Sequence, residues 1–371
     1  MQVQGFCEER FLEVKDLFQS YFDKKIEEGA GFALVKNGEV LISIFGGYKN
    51  ESKDEWSENT IVNTFSLSKG IYAGCLAKLI DQNELELEKK ISYYWPEFGK
   101  NNKEYIKVKD LLSHQSGIYR FKSPVTNEDL TDWDKIIYIL ENQEPDHKPG
   151  EHTFYHAKTH GYLVCELIKK ISGQKLNNFF ENYFKNYFKI NFKFGLNDID
   201  LKNTADLIED SNEVLIKKKE FDAFNNPRHD VNFYNTAIWR KSIIPSMGGH
   251  GSAIDIAKFY DILSNDLKQN KQIIISKNNF SKILQQSTNQ NDGSLGFPIR
   301  WTYSGFILRG GWMFGKNKES FGHNGWGGSL GFADPIEGIG ISYVTRKINS
   351  GMGADKRSVE LIKKIYQILK N

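Results

Sequence analysis

Thr64-Phe65-Ser66-Leu67-Ser68-Lys69-Gly70 is the stretch on which the reading of this chain turns. Ser66 and Lys69 are three residues apart at the expected start of a helix, where residues at that spacing share a face. A serine hydroxyl is a weak nucleophile at neutral pH and needs a base beside it. Lys69 is the candidate base, although holding a lysine neutral at pH 7 costs about 4 to 5 kcal/mol unless burial or a nearby cation depresses its pKa. A helix N-terminus helps, because it disfavours the ammonium and favours the alkoxide. Spacing alone is cheap, since the chain carries a second copy, Ser172-Gly173-Gln174-Lys175. That copy follows the periodic run Tyr162, Leu163, Glu166, Leu167, Lys170, Ile171, and Gly173 reads as the end of its helix. The first copy instead follows an extended segment, Thr60 to Phe65, and leads into Ile71, Cys75, Leu76, Leu79 and Ile80. A strand running into a helix start is a suitable setting for a nucleophile.

Outward from this point, both ends of the chain show the same pattern. Phe11 to Lys25 has an amphipathic helical stripe, followed by β-rich runs Gly31 to Val35 and Val40 to Phe45 around Asn37-Gly38, a strong hairpin signal. Near the C-terminus, Leu330 to Ala333 and Ile339 to Val344 flank a turn, and Asp355 to Leu369 forms a closing helix. These features predict an α/β fold with one antiparallel sheet built from both chain ends and flanked by helices. The middle reads as helical at Ser66 to Ile80, Val108 to Ser113, Thr131 to Glu141, Thr159 to Ile171 and Ile254 to Leu263. The expected division is therefore residues 1–80 with 275–371 as the sheet domain and 81–274 as a mainly helical insertion. Residues 200–245 are polar and weakly periodic and are expected to be loop.

With 371 residues and 39% hydrophobic content, the chain can bury one large or two smaller cores. Lys+Arg 49 against Asp+Glu 47 gives a net charge of +2, without long runs of one sign, so no nucleic-acid partner is expected. No apolar run reaches membrane-spanning length, and the first residues lack the basic flank and apolar core of a secretory signal. Cys7, Cys75 and Cys165 are an odd, scattered set that fits reduced thiols. A cytoplasmic location without membrane association is expected, and nothing in the sequence points to an oligomeric state.

Two rival motifs need weighing. Gly327-Gly328-Ser329-Leu330-Gly331 matches the nucleophile elbow of α/β-hydrolases, but a hairpin follows it and no histidine occurs after His323. The glycines are better read as places of close backbone approach in a sheet. His156 and His160 are at helical spacing, yet Ala157-Lys158-Thr159 lies between them and a lysine repels a cation, so no metal is expected. His114, His147, His152 and His229 have no ligand spacing. Tyr155 is a further candidate, because a phenol near a lysine ammonium has a lowered pKa and can exchange protons with it.

Taken together, the segments resemble the serine hydrolases of the class C β-lactamase type, and most closely the family VIII carboxylesterases. The nucleophile motif Thr64 to Gly70 is followed in family order by Tyr94-Trp95-Pro96-Glu97-Phe98, by Leu111 to Gly117, by Pro149-Gly150 through Tyr155-His156-Ala157, by Pro245 to Ser252, and by Phe321-Gly322-His323-Asn324-Gly325 with Gly327-Gly328-Ser329. The resemblance implies the β-lactamase/penicillin-binding-protein-like fold, no cofactor, and a reaction through acyl-Ser66. It gives Lys69 and Tyr155 the proton transfers and makes the backbone NH groups of Ser66 and Trp326 the oxyanion hole, each such donor being worth ~3 kcal/mol. Trp326-Gly327-Gly328 is alternatively alignable as the last motif itself. Substrate contacts are implied at His323, Asn324, Gly325 and His156.

Two departures bear on the substrate. The family's lactamases have asparagine two places after the tyrosine and lysine at the start of the last motif; here these are Ala157 and His323. Loss of an amide donor and of a fixed positive charge weakens binding of an anionic amide more than of a neutral ester. A small or medium carboxylic ester is the expected small-molecule substrate; the alternatives are β-lactam or D-amino-acid peptide hydrolysis and acyl transfer to a metabolite alcohol.

Overall fold

The computed structural model describes residues 1–209, 222–265, 268–269, 272–273, 275–349 and 355–370. Its main sheet contains β1 (Gln4–Cys7), β2 (Gly29–Lys36), β3 (Glu39–Gly47), β4 (Ile307–Leu308), β5 (Phe321–Asn324), β6 (Leu330–Asp334) and β7 (Ile339–Thr345). Every pairing is antiparallel and the spatial order is β1-β3-β2-β7-β6-β5-β4. The two chain ends meet where β2 pairs with β7, with Leu34 opposite Ile341. The expected sheet from both termini is therefore formed. Asn37 and Gly38, at φ 52° and 82°, make the two-residue turn between β2 and β3, with Lys36 opposite Glu39. Positive φ at both positions matches the twist of the strands that such a turn joins.

The helices that position the site are α1 (Leu12–Asp23), α2 (Leu67–Asp81), α3 (Trp133–Asn142), α4 (Thr159–Ser172), α5 (Ala253–Ser264) and α6 (Lys356–Ile368). Because strand side chains alternate, β2 serves two cores. Phe32 and Leu34 pack with Phe18 of α1 and Leu361 and Ile365 of α6. Ala33 and Val35 pack with α5 and with Ile71 and Leu76 of α2, in a core that continues through α3 and α4. Helix α2 is buried on nearly every side, as its apolar and small residues require. Helix α5 falls inside the 81–274 segment expected to be the helical region, yet it packs on β2, β6 and β7. Gly173 ends α4 in the left-handed conformation, at φ 70°, so the second serine-lysine pair straddles a helix end.

The 200–245 segment differs from the expected loop. Its described parts include helical turns at Asp198–Lys202, Val231–Tyr234 and Ala237–Lys241 and a short strand at Ile208–Glu209; residues 210–221 lie outside the described residues. Each turn is fixed by a side-chain cap, Asn197 accepting from the Asp200 N–H, Asp230 from Phe233 and Thr236 from Trp239. Capped turns of four or five residues are too short for apolar periodicity to reveal them.

A buried ionic network closes the sheet. The Arg357 guanidinium, at the start of α6, donates to Glu27 at 2.6 Å and to Asp355 at 2.6 Å, and also to the carbonyls of Lys347 and Gly327. Tyr343 and Thr345 donate to the same Glu27 carboxylate. Removing one member leaves a buried charge unpaired, so Arg357→Met is expected to lower unfolding stability by about 3–5 kcal/mol. Chemical denaturation of the variant checks this, with the double replacement Arg357→Met/Glu27→Gln expected to recover part of the loss.

Candidate active site

The turn that presents Ser66 is strained. Phe65 sits at φ 47°, a region an aromatic residue rarely occupies and which persists only where surrounding contacts enforce it. Here its ring meets those of Trp326 and Tyr234 edge to face, at 5.1 Å and 5.6 Å. Behind it, Thr64 bonds the Gly249 carbonyl and the Gly249 N–H bonds Ser68. Ser68 is thus a structural hydroxyl, whereas Ser66 faces the cleft. Gly325 completes the turn's surroundings: a Cβ there would lie 2.1 Å from the Thr64 carbonyl oxygen, so only glycine lets the end of β5 approach.

Lys69, one turn into α2, is 1% exposed. Its Nζ lies 2.8 Å from the Ala157 carbonyl oxygen, 3.0 Å from that of Ser246 and 3.2 Å from Ser66 Oγ. Burial, reinforced by the Lys158 charge, pulls its pKa well below the ordinary lysine value. A neutral amine has two hydrogens and one lone pair. With the two carbonyls taking those hydrogens, the neutral form would keep its lone pair for the Ser66 hydroxyl, whereas the ammonium would donate to it. Tyr155 is buried, its backbone N–H donating to Asp292 at 2.9 Å and its ring stacking on Trp301. Its hydroxyl interacts with the Ser66 side chain, and Lys69 Nζ is 5.0 Å from its ring centroid. The expected lowering of its pKa is not found. Burial pushes the phenol up, the Ser66 contact offsetting only part of this, so Tyr155 is a held proton rather than a phenolate.

Ser66, Tyr155, His323, Asn324 and Trp326 line one cleft. Ser66 and Trp326 open α2 and a 3₁₀ turn respectively, positions whose N–H groups have no intrahelical acceptor. His323 is buried and its pKa falls to about 3, mainly through burial and secondarily through Lys69, so the ring is neutral. Gly325 abuts Thr64 and does not line the cleft. His156 is also elsewhere, fully buried with Nε2 2.6 Å from Ser116 Oγ and Nδ1 2.6 Å from the Phe154 carbonyl. It braces the Tyr155 loop instead of meeting a ligand. It also precedes α4, so it shares no helical face with His160, and no metal-binding cluster occurs among the described residues. Gly327 and Gly328 lie in the turn between β5 and β6 rather than in a strand. At Gly328, φ 120°, an added Cβ would lie 2.3 Å from the Asp355 carboxylate, so the loop that carries Trp326 packs directly on the Arg357 network.

Among the basic side chains that line the cleft, sequence reasoning gave no site role to Lys158, His229 and Arg309. Lys158 is three residues beyond Tyr155; buried, it donates to the carbonyls of Phe224 at 2.6 Å and Ala223 at 3.4 Å. His229 stacks on Trp326 at 4.3 Å. No spacing marks either His229 or Arg309, which arrive from distant segments.

The family profile described as Beta-lactamase matches residues 14–362. The chain belongs to the beta-lactamase family. Members similar to it include the esterase/beta-lactamase LipL of Mycobacterium tuberculosis (strain ATCC 25618 / H37Rv), 24% identical over 94% of this chain and 84% of that protein. A family VIII carboxylesterase crystal structure superposes with a TM-score of 0.93 at 30% identity, covering 99% of this chain and 100% of the other. A penicillin-binding protein homologue from Caulobacter crescentus superposes at 0.92 with 28% identity, over 99% and 100%. This member is thus a beta-lactamase-like hydrolase with esterases among its neighbours. No helix of the described residues is long and apolar enough to cross a membrane.

Burial draws the Lys158 pKa to about 7 from 10.5. Between those values the unfolded chain binds a proton that the folded protein does not, so stability rises with pH in that window. Thermal unfolding from pH 7 to 10 is expected to show this rise, and Lys158→Met is expected to reduce its slope, the remainder coming from Lys69, which is shifted in the same direction.

Proposed function

We propose that the protein is a serine carboxylesterase that cleaves small carboxylic esters through an acyl-Ser66 intermediate. The observation that carries this reading is the three-contact setting of Lys69 Nζ, with two carbonyls and Ser66 Oγ around a buried amine. The Ser66 proton passes to the Lys69 lone pair as Oγ attacks the acyl carbon. The carbonyl oxygen, now negative, is received by the N–H groups of Ser66 and Trp326. Tyr155 gives its proton to the departing alkoxide, and the Lys69 ammonium restores it, leaving acyl-Ser66 and a free alcohol. Water then attacks the acyl carbon, its proton passing through the same pair, and Ser66 is released with the carboxylic acid.

Esters suit this cleft better than lactams. Ala157 offers no side-chain amide to hold an acylamino group.

Steady-state hydrolysis of para-nitrophenyl acetate, set beside a chromogenic cephalosporin, tests the reading. Expected are a higher kcat/KM for the ester, loss of turnover in Ser66→Ala, and kcat lowered about 10²–10⁴-fold in Lys69→Ala and in Tyr155→Phe. Preferred turnover of the cephalosporin would reverse the substrate assignment, and full activity of Ser66→Ala would remove the mechanism.

A further inference from the structure

His323 is neutral, so the last motif carries no fixed charge. A permanent cation reaches the same cleft from another strand. Arg309 directly follows β4 and lines the cleft, close enough to Tyr155 and His323 to act on both electrostatically. It remains charged at neutral pH, burial drawing its pKa only to about 10. Its guanidinium lies over the rings of Phe297 and Trp312, at 5.3 Å and 5.4 Å. Nη1 is buried with no hydrogen-bond partner among the described residues. Lys158 adds a second basic side chain to the lining, and no Asp or Glu among the described residues belongs to it. Asp292, behind Tyr155, has Oδ1 committed to the N–H groups of Tyr155, Ser294 and Leu295.

A buried guanidinium donor without an acceptor is costly, and a carboxylate is the acceptor its planar fork fits. We propose that the ester taken by this cleft carries a carboxylate, which pairs with Arg309 while the acyl carbon lies at Ser66. This rests on the ester reading above and amends its sequence-based form. The charge missing from the last motif is supplied by the neighbouring edge strand, so the preferred ester is acidic rather than neutral. Leu295, Ile299 and Ile307 line the same cleft and suit the apolar stretch between ester and carboxylate.

Two substrate pairs locate the carboxylate. On the acyl side, mono-para-nitrophenyl adipate is compared with para-nitrophenyl hexanoate; on the alcohol side, para-acetoxybenzoate is compared with its methyl ester. In at least one pair the acid is expected to have the higher kcat/KM, and Arg309→Gln is expected to reduce that ratio about tenfold or more, with Arg309→Lys intermediate. A ratio of one or less in both pairs, or a ratio unmoved by Arg309→Gln, overturns the proposal while leaving ester hydrolysis standing. Calorimetric titration of Ser66→Ala protein with free adipate and para-hydroxybenzoate needs no turnover. Saturable binding that weakens when Arg309→Gln is added supports the carboxylate site even if no ester is cleaved; binding that is absent or indifferent to Arg309 rejects it.

Discussion

The burial of one amine organises this molecule. Lys69 Nζ is enclosed by α2, by the Tyr155 loop through the Ala157 carbonyl and by the Pro245–Ser252 loop through the Ser246 carbonyl. An ammonium there would have no counter-ion among the described residues and would lose most of its hydration, so burial shifts the group toward the neutral amine. Neutral, the amine satisfies both carbonyls and keeps a lone pair for Ser66. The same constraint that selects the protonation state also fixes three segments around the nucleophile.

Other buried groups follow the same logic. Tyr155 is pushed toward its protonated form by burial, as Lys69 is pushed toward its deprotonated form, so base and acid are held apart in opposite states beside one hydroxyl. His323 is likewise neutral. Behind the cleft the contacts are ionic: Arg357 with Glu27 and Asp355 pins the Gly327-Gly328 turn and with it Trp326. The Phe65 backbone strain is enforced by Trp326 and Tyr234, linking the nucleophile turn to that same loop.

Much of this was legible in the sequence. Asn37-Gly38, the amphipathic stripes of α1 and α6, and the strand-to-helix entry at Ser66 each follow from local rules, and they suffice for the sheet from both chain ends. Ser66, Lys69 and Tyr155 were legible as an ordered set. What was not legible depends on long-range packing. His156 fits a ligand-like spacing, yet its ring is spent on Ser116 and Phe154. The direction of the Tyr155 shift is set by burial, which a neighbouring lysine in a sequence does not reveal. Arg309 enters from the sheet edge with no motif around it, and the capped turns within 200–245 are shorter than one amphipathic repeat.

The most direct measurement is the titration of Lys69 itself in the folded, unliganded protein, followed by NMR of lysine labelled with ¹³C at Cε and assigned through Lys69→Arg. Expected is a midpoint well below the ordinary 10.5, with the side chain largely neutral at the pH of the proposed ester hydrolysis. An amine that stays protonated up to the ordinary lysine range would contradict it, because Ser66 would then have no base.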